Sequence, residues 1–229
     1  MMIMSDFNPK PYDFLMTTYI ERRALFQAVR KLAPQITGSV LDVGCGKKPY
    51  EYLFTNAKKY IGLDHIKCKS SENKADCFYD GKKFPLKSSS FDSIVCTEVL
   101  EHVEDDQLFI NECKRVLKPN GIMLLSMPFM WEEHEEPYDF RRFNSFGLKN
   151  ALIKKGFKVI TYEKTTSEFL TIIQLLILFV LNKYSHKQFI LKRLFLKAII
   201  VKLNFLAFLF WNTPGTGKLY IDNIILVRK

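Results

Sequence analysis

Six short apolar runs, spaced by polar or helix-like sequence, limit how this chain can fold. They are SVLDV (39–43), KYIGLD (59–64), ADCFY (75–79), FDSIVC (91–96), GIMLLSMP (121–128) and FKVITYE (157–163). A seventh, KLYIDNIILVRK (218–229), follows much later. Runs this short, rich in Val, Ile and Phe, read as strands. Two intervening segments carry helical periodicity. TTYIERRALFQAVRKL (17–32) puts Ile20, Leu25, Phe26 and Val29 on one side. In DDQLFINECKRVLKPNG (105–121), Leu108, Phe109, Glu112, Val116 and Leu117 keep a helical period until KPNG stops it. Strand–helix alternation predicts an α/β fold, a doubly wound and mostly parallel sheet with helices on both faces. The 229 residues suffice for one domain. We divide it into an N-terminal helical cap (1–37), a core (38–165), a helical insertion (166–217) and a final strand (218–229).

The insertion differs in composition from the rest. From Phe169 to Ile221 there is no acidic residue, while Lys183, Lys187, Lys192, Arg193, Lys197, Lys202 and Lys218 supply most of the formal net charge of +10. A basic surface favours anions. The span allows three readings: a lid or dimer surface, an element lying on an anionic membrane, or an RNA-binding arm. Nucleic-acid surfaces cluster Lys and Arg among few apolar residues. This span is mostly Leu, Ile and Phe, so nucleic acid is not the expected partner. The run 169–181 is too short to span a bilayer comfortably, and monotopic contact through 169–211 fits it better. The lysines do not share one narrow face, which leaves the lid reading equally open.

The five cysteines are scattered and form no CxxC pair. That argues for a reducing compartment and against a structural zinc site, so no metal is expected. MMIMSDFNPKPYDF lacks the basic-then-apolar order of a signal peptide. The expected location is cytoplasmic, with peripheral membrane association as the alternative.

The stretch VLDVGCGKKPY (40–50) places Gly44 and Gly46 where the first strand ends. Such glycines let backbone N–H groups face a ligand without Cβ obstruction. The order G-C-G-K-K-P lacks the third glycine of a dinucleotide fingerprint, and no Walker loop is present. Alone, this could equally be a structural turn. Asp64 ends the second strand, where an acid can take both ribose hydroxyls. Asp80 follows the third strand and could accept from an adenine amino group. The three features together describe a site for an adenosine without phosphates. Asp42 and Asp64 could instead be helix caps, but their ordered context favours the cofactor.

VLDVGCG, YIGLD, DGKKFPLKSSSFDSIVCTEVLEHV and RVLKPNGIMLLSMP resemble, in order, the motifs of class I S-adenosylmethionine-dependent methyltransferases, and more narrowly the branch with the quinone and small-molecule enzymes. The resemblance covers residues 38 to 163. It implies a Rossmann-like seven-stranded sheet whose last strand is antiparallel, and S-adenosyl-L-methionine as cofactor. It also implies that Gly44, Cys45 and Gly46 hold the methionine end while Asp42 supports their turn. Asp64, with His65 beside it, would take the ribose diol. Asp80, with Gly81, would meet the adenine amine, Asp76 being the competing candidate. Thr97, Glu98 and Val99 would line the pocket. Lys48 departs from the usual third glycine, and Pro49 is placed to start the next helix at its first position. Cys45 is expected to fill space.

Methyl transfer is an in-line displacement for which the enzyme chiefly aligns the reactants. No NPPY-type signature follows the fourth strand, and no cysteine has the setting of a cytosine C5 nucleophile. An oxygen or an activated carbon is therefore the expected acceptor. The base candidates are His102, in EVLEHV, and His134, in MPFMWEEHEEPYDFRRFN (127–144). The second stretch follows the fifth strand, where α/β sheets bind ligands. Its arrangement of His134, Pro137, Asp139, Phe140, Arg142 and Phe143 resembles a pattern of uncharacterised bacterial methyltransferases. Trp131, Asp139 and Arg142 are the candidates for acceptor binding. His102 could equally be a capping residue, and the loop a solvated one closed by an Asp139–Arg142 pair. The expected acceptor is a hydroxyl on a glycan, a lipid-linked intermediate or another small metabolite. The alternatives are a non-catalytic adenosine-cofactor-binding regulator and an RNA methyltransferase.

Overall fold

The computed structural model describes residues 13–184 and 190–229. Residues 1–12 of the expected cap and Lys187 of the basic insertion lie outside them, as do the side chains of Lys192 and Arg193. Seven strands form one sheet: β1 (Gly38–Val43), β2 (Ala57–His65), β3 (Cys77–Tyr79), β4 (Phe91–Thr97), β5 (Leu117–Pro128), β6 (Lys158–Lys164) and β7 (Asp222–Arg228). Their order is β3-β2-β1-β4-β5-β7-β6. β1 pairs in parallel with β2 and β4, β2 with β3, and β4 with β5. The order reverses at β1, so the carboxyl ends of β1 and β4 flank the crevice where such sheets bind ligands.

The helices are α1 (Tyr19–Leu32), α2 (Asp106–Val116), α3 (Ser145–Lys154), α4 (Glu168–Tyr184) and α5 (Ile190–Leu209). The sheet core joins Leu41, Val43, Leu63, Ile94, Leu125 and Ile225 to Ile110, Val116, Leu148 and Leu152 of α2 and α3. On α1, Ile20, Leu25 and Val29 are buried as expected, and Phe26 is half-buried.

Two expectations change. No α-helix follows the glycine turn, only a 3-10 turn at Glu51–Leu53. Little chain separates Gly46 from β2, and Lys48 within it takes a left-handed φ of 54°. Pro49 therefore opens no helix. Second, α2 stops at Val116, and Leu117 already pairs with Phe91 of β4. KPNG thus belongs to the twelve-residue β5. Pro119 lacks the N–H that a helix needs, and Asn120 lies at φ 64°. The α2 start is capped by Asp105, which accepts from Leu108 N at 2.8 Å. Leu108 itself is 37% exposed rather than packed inward.

Glu112 is the polar member of the buried α2 face, and its carboxylate has a clear use. It accepts from Phe84 N at 2.8 Å and from Arg115. Arg115 in turn donates to the Phe84 and Leu86 carbonyls. One ion pair thereby satisfies the backbone of the segment that follows Asp80.

The chain divides into two compact units, Ala28–Glu163 with Asn223–Lys229, and Met1–Gln27 with Lys164–Asp222. In the second, α4 and α5 hold the chain before α1. Gln174 donates to Thr17 O, and Asn204 to Phe14 O and Met16 O, each at 2.9 Å. Glu168 gathers Thr216 N, Thr216 Oγ1 and Lys218 N at 2.6–3.0 Å. Ile172, Phe179, Leu194, Phe195, Leu209 and Phe210 stay exposed. Among the described residues no helix is long and apolar enough to cross a membrane.

Candidate functional site

The apolar β1 run delivers Asp42 and then the glycine turn to the carboxyl end of the sheet. Gly44 has φ 71° and Gly46 has φ 48°. Gly44 N and Cys45 N both donate to Leu63 O, which ties the turn to β2. A Cβ on Gly44 would lie 2.3 Å from Val99 Cγ2. A Cβ on Gly46 would meet nothing within 4 Å. The turn is thus packed against Val99 on one side and open at Gly46. Cys45 is buried, and burial pushes its thiol up, so it fills space rather than reacts.

Asp64, at the end of β2, faces this opening. Its carboxylate accepts from Gly46 N at 3.1 Å, from Asn73 Nδ2 at 2.7 Å and from His65 N at 2.7 Å. The sequence reading missed Asn73, because nothing in a polar loop signals which side chain turns back. Asp76 accepts from Gly62 N and Lys48 Nζ at 2.7 and 2.6 Å, so it is committed to bracing the turn. Asp80 is exposed and accepts from Lys82 N at 3.0 Å. Beside it, a Cβ on Gly81 would sit 3.2 Å from His65 Nε2. Gly44, Gly46, Asp64 and Val99 therefore converge directly, His65 and Gly81 adjoin each other, and Asp80 stands at the solvent edge. An open glycine turn beside a carboxylate suits a ligand with an ammonium group and a ribose diol, which S-adenosylmethionine has.

Asp42 is buried beneath the turn and accepts from Tyr60 OH at 2.7 Å. Burial raises its pKa to about 7, against the pull of Tyr60 and Lys48 and with added push from Asp64 and Glu51. A pKa raised in the folded state gives stability that is complete below the unfolded value and is lost as pH rises towards about 7. Asp42→Asn removes that loss. From about pH 4 to about pH 8, wild type is expected to lose up to about 4 kcal/mol relative to the variant, as read by urea unfolding. Parallel profiles would refute it.

β4 ends at Thr97, paired with Ser126 of β5. Glu98, at φ 52°, accepts from Ser126 Oγ at 2.5 Å. A 3-10 turn at Leu100–His102 follows. Arg141 fastens this turn by donating to the Leu100, Val103 and Glu104 carbonyls, and Phe140 N donates to Glu101 O. The two base candidates meet here, with the rings of His102 and His134 4.7 Å apart and edge to face. His102 Nδ1 lies 2.9 Å from Tyr138 O. His134 Nδ1 lies 3.2 Å from Glu132 O and 3.3 Å from Asp139 Oδ2.

Asp139 and Arg142 form the expected pair, but it is not solvated, since the Asp139 side chain is only 3% exposed. Burial opposes its charge. The Arg142 guanidinium and His134 N–H outweigh burial and hold it at about 2. Both lie against His134, whose N donates to Asp139 Oδ2 at 2.9 Å and whose Nδ1 stands 3.4 Å from Arg142 Nη2. Trp131 is half-buried nearby in sequence. Glu101, which the sequence reading did not single out, is fully buried, and neither carboxylate oxygen has a hydrogen-bond partner. Burial, then the charge of Glu98, pushes its carboxyl well above the usual range. Lys67, just past β2, reaches over the Tyr138 ring at 4.6 Å and so joins the cofactor side to the histidine loop. A separate cavity of 540 Å³, lined by Gly38, Asp92 and Lys118, opens at the amino ends of β1 and β4, away from this chemistry.

Comparison with known proteins adds to this geometry. Residues 41–125 match a family described as methyltransferase domain. A "Probable S-adenosylmethionine-dependent methyltransferase" of Mycolicibacterium smegmatis is 31% identical over 144 residues, covering 57% of this chain and 56% of its own length. The chain thus spans just over half the length of that relative. A ubiquinone biosynthesis O-methyltransferase of Histophilus somni is 44% identical over 45 residues, 20% of this chain and 19% of that one. Among solved structures, the [4+2]-cyclase SpnF superposes with a TM-score of 0.59 at 20% identity, covering 91% of this chain and 82% of that one. At that identity the likeness shows the fold alone.

Proposed function

We propose that this chain, whose residues 41–125 match a methyltransferase domain family, transfers a methyl group from S-adenosyl-L-methionine to a hydroxyl oxygen of a glycan, a lipid-linked intermediate or another small metabolite. The observation that carries the acceptor reading is the pairing of His102 and His134, both on segments that leave the carboxyl ends of β4 and β5. The bound cofactor supplies an activated methyl group on sulfur. The chain's own residues do the rest. Gly44, Gly46 and Asp42 cradle the methionine end, and Asp64 takes the ribose hydroxyls. Asp80 and Gly81 border the adenine, and Thr97, Glu98 and Val99 wall the pocket. His134, held by Asp139 and Arg142, faces the acceptor with His102 beside it, placed to accept or orient the hydroxyl proton. The exposed apolar residues of α4 and α5, in a stretch of sequence rich in lysine and free of acids, support an acceptor presented at an anionic lipid surface over a nucleic acid.

The test is S-adenosylhomocysteine release with a panel of free glycans, small phenols and catechols, and lipid-linked acceptors in anionic vesicles. Turnover with at least one class is expected. His134→Ala should retain cofactor affinity and lose turnover by about 100-fold or more. Normal turnover in that variant would remove the role given to His134. Cofactor binding without turnover on any acceptor would favour a regulatory binding protein.

A further inference from the structure

The two long helices of the second unit are turned partly inside out. Their fully buried side chains include Thr171 and Gln174 of α4 and Asn204 of α5. Gln174 and Asn204 give their amide protons to carbonyls of residues 14–17. Large apolar side chains meanwhile face outward. On α4, Ile172, Leu176, Phe179 and Lys183 are all exposed and stand at i, i+4, i+7 and i+11, which puts them in one stripe. Gln174, two positions from Ile172, lies on the opposite side of the helix. On α5, Leu194, Phe205 and Leu209 form a second stripe, at i, i+11 and i+15, with the exposed Lys202 beside it. Phe179 is 58% exposed and Leu209 60%. A helix that is apolar on its outward face as well as on its packed face is built to be covered by something other than water.

Charge decides what covers it. From Phe169 to Ile221 there is no acidic residue, while Lys183, Lys197, Lys202 and Lys218 are exposed. A second copy of the chain would set these lysines against themselves, because a two-fold contact repeats one surface. No acid in the stretch would answer them. A nucleic acid would answer the charge but not the Leu and Phe side chains. An anionic bilayer answers both, with headgroup charge for the ammonium groups and acyl chains for the stripes. Lys183 suits that boundary. Its Nζ stands 5.5 Å from the Phe179 ring centroid, at the polar end of the apolar stripe. Neither helix is long and apolar enough to cross a membrane, so the contact lies in the plane of the headgroups.

We infer that the outward stripes of α4 and α5 dock the protein on an anionic lipid bilayer, with Ile172, Leu176, Phe179, Leu194, Phe205 and Leu209 entering the acyl boundary and the lysines meeting the headgroups. The docking stands independently of the methyl-transfer reading. Its consequence, that the acceptor is drawn from lipid-borne hydroxyls, rests on that reading.

The test is co-flotation of the full chain with two kinds of vesicle, pure phosphatidylcholine and phosphatidylcholine mixed with phosphatidylglycerol. Binding to the mixed vesicles is expected to be tighter by about 10-fold or more, and to weaken as salt is raised. Leu176→Glu combined with Phe179→Glu should weaken it by about 100-fold. Thermal unfolding reports whether that variant is folded. Lys183→Ser combined with Lys202→Ser leaves the apolar stripes whole and gives a second reading, since it should abolish most of the preference for the anionic vesicles. Phe146→Glu, at an exposed position of α3 outside this surface, should bind as wild type does. Wild type that floats with neither vesicle, or a folded Leu176→Glu/Phe179→Glu variant that floats as well as wild type, overturns the inference. So does a dimer that the same pair of substitutions dissolves without any vesicle binding, which gives the face to a second copy. Salt-sensitive RNA retention without vesicle binding overturns it as well. S-adenosylmethionine affinity is measured in parallel. Docking without cofactor binding would leave the surface standing and sink the methyltransferase reading, and cofactor binding without docking would do the reverse.

Discussion

Gly44→Ala should cost the protein about 2–4 kcal/mol and reduce cofactor affinity by about 100-fold or more. Two penalties add. Gly44 sits at φ 71°, where any residue with a Cβ loses about 1–2 kcal/mol. The new methyl would also lie 2.3 Å from Val99 Cγ2, an overlap that forces either the turn or the start of the 97–102 segment to move. Overpacking of this kind costs about 1–3 kcal/mol. The affinity loss follows because the same movement displaces the Gly46 opening and Asp64, whose carboxylate is set by Gly46 N. Thermal unfolding and calorimetric titration with S-adenosylmethionine read the two effects separately. Adding Val99→Ala should recover the overlap part of the stability and none of the backbone part. Wild-type affinity in Gly44→Ala would show that this turn does not hold the cofactor.

The second large effect is expected at Asp64. Its carboxylate already collects three N–H donors, from Gly46, His65 and Asn73. Binding a ribose diol requires the Asn73 amide to give way to the hydroxyls, one set of donors replacing another at the same oxygens. Asp64→Ala removes both charged hydrogen bonds to the sugar, each worth about 1.5–3 kcal/mol. The expected loss of affinity is about 100- to 1,000-fold or more. Asp64→Asn keeps the shape and should fall between the two. Asn73→Ala should tighten binding slightly, because it frees an oxygen of Asp64. If Asp64→Ala binds S-adenosylmethionine as well as wild type, the ribose lies elsewhere.

The sheet was the legible part of this chain, for a physical reason. Buried strands such as SVLDV and FDSIVC are mostly apolar, and their ends announce themselves by glycine or acid. The observed strands match those runs within a few residues. Boundaries failed where local propensity met a long-range partner. KPNG reads as a helix stop, yet Leu117 is claimed by Phe91 across the sheet, so β5 starts earlier. Pro49 reads as a helix opener, yet the turn is pinned to β2 through Leu63 O and to Asp76 through Lys48.

The site was legible only where its members share a motif. Gly44, Gly46 and Val99 converge as their order along the strands implies. Glu101 was passed over because a carboxylate in a sequence carries no sign of being buried, and its neighbour His102 drew the attention. The closeness of His102 and His134 depends on how the 129–144 loop folds back. That path is set by Arg141 and Phe140 bonding to the 100–104 turn, a long-range choice that no periodicity encodes.

The segment between β6 and β7 leaves and re-enters the fold at one doorway. β6 and β7 are neighbours in the sheet, and Thr165 N donates to Asp222 O where the excursion begins and ends. A stretch whose two ends are already held together can change length and content at little cost in closure entropy. Descendants of this chain could exchange the whole excursion for another without disturbing a single pairing among β1 to β5. The excursion is therefore the part of the chain freest to be rewritten while the pairings of β1 to β5 stay as they are.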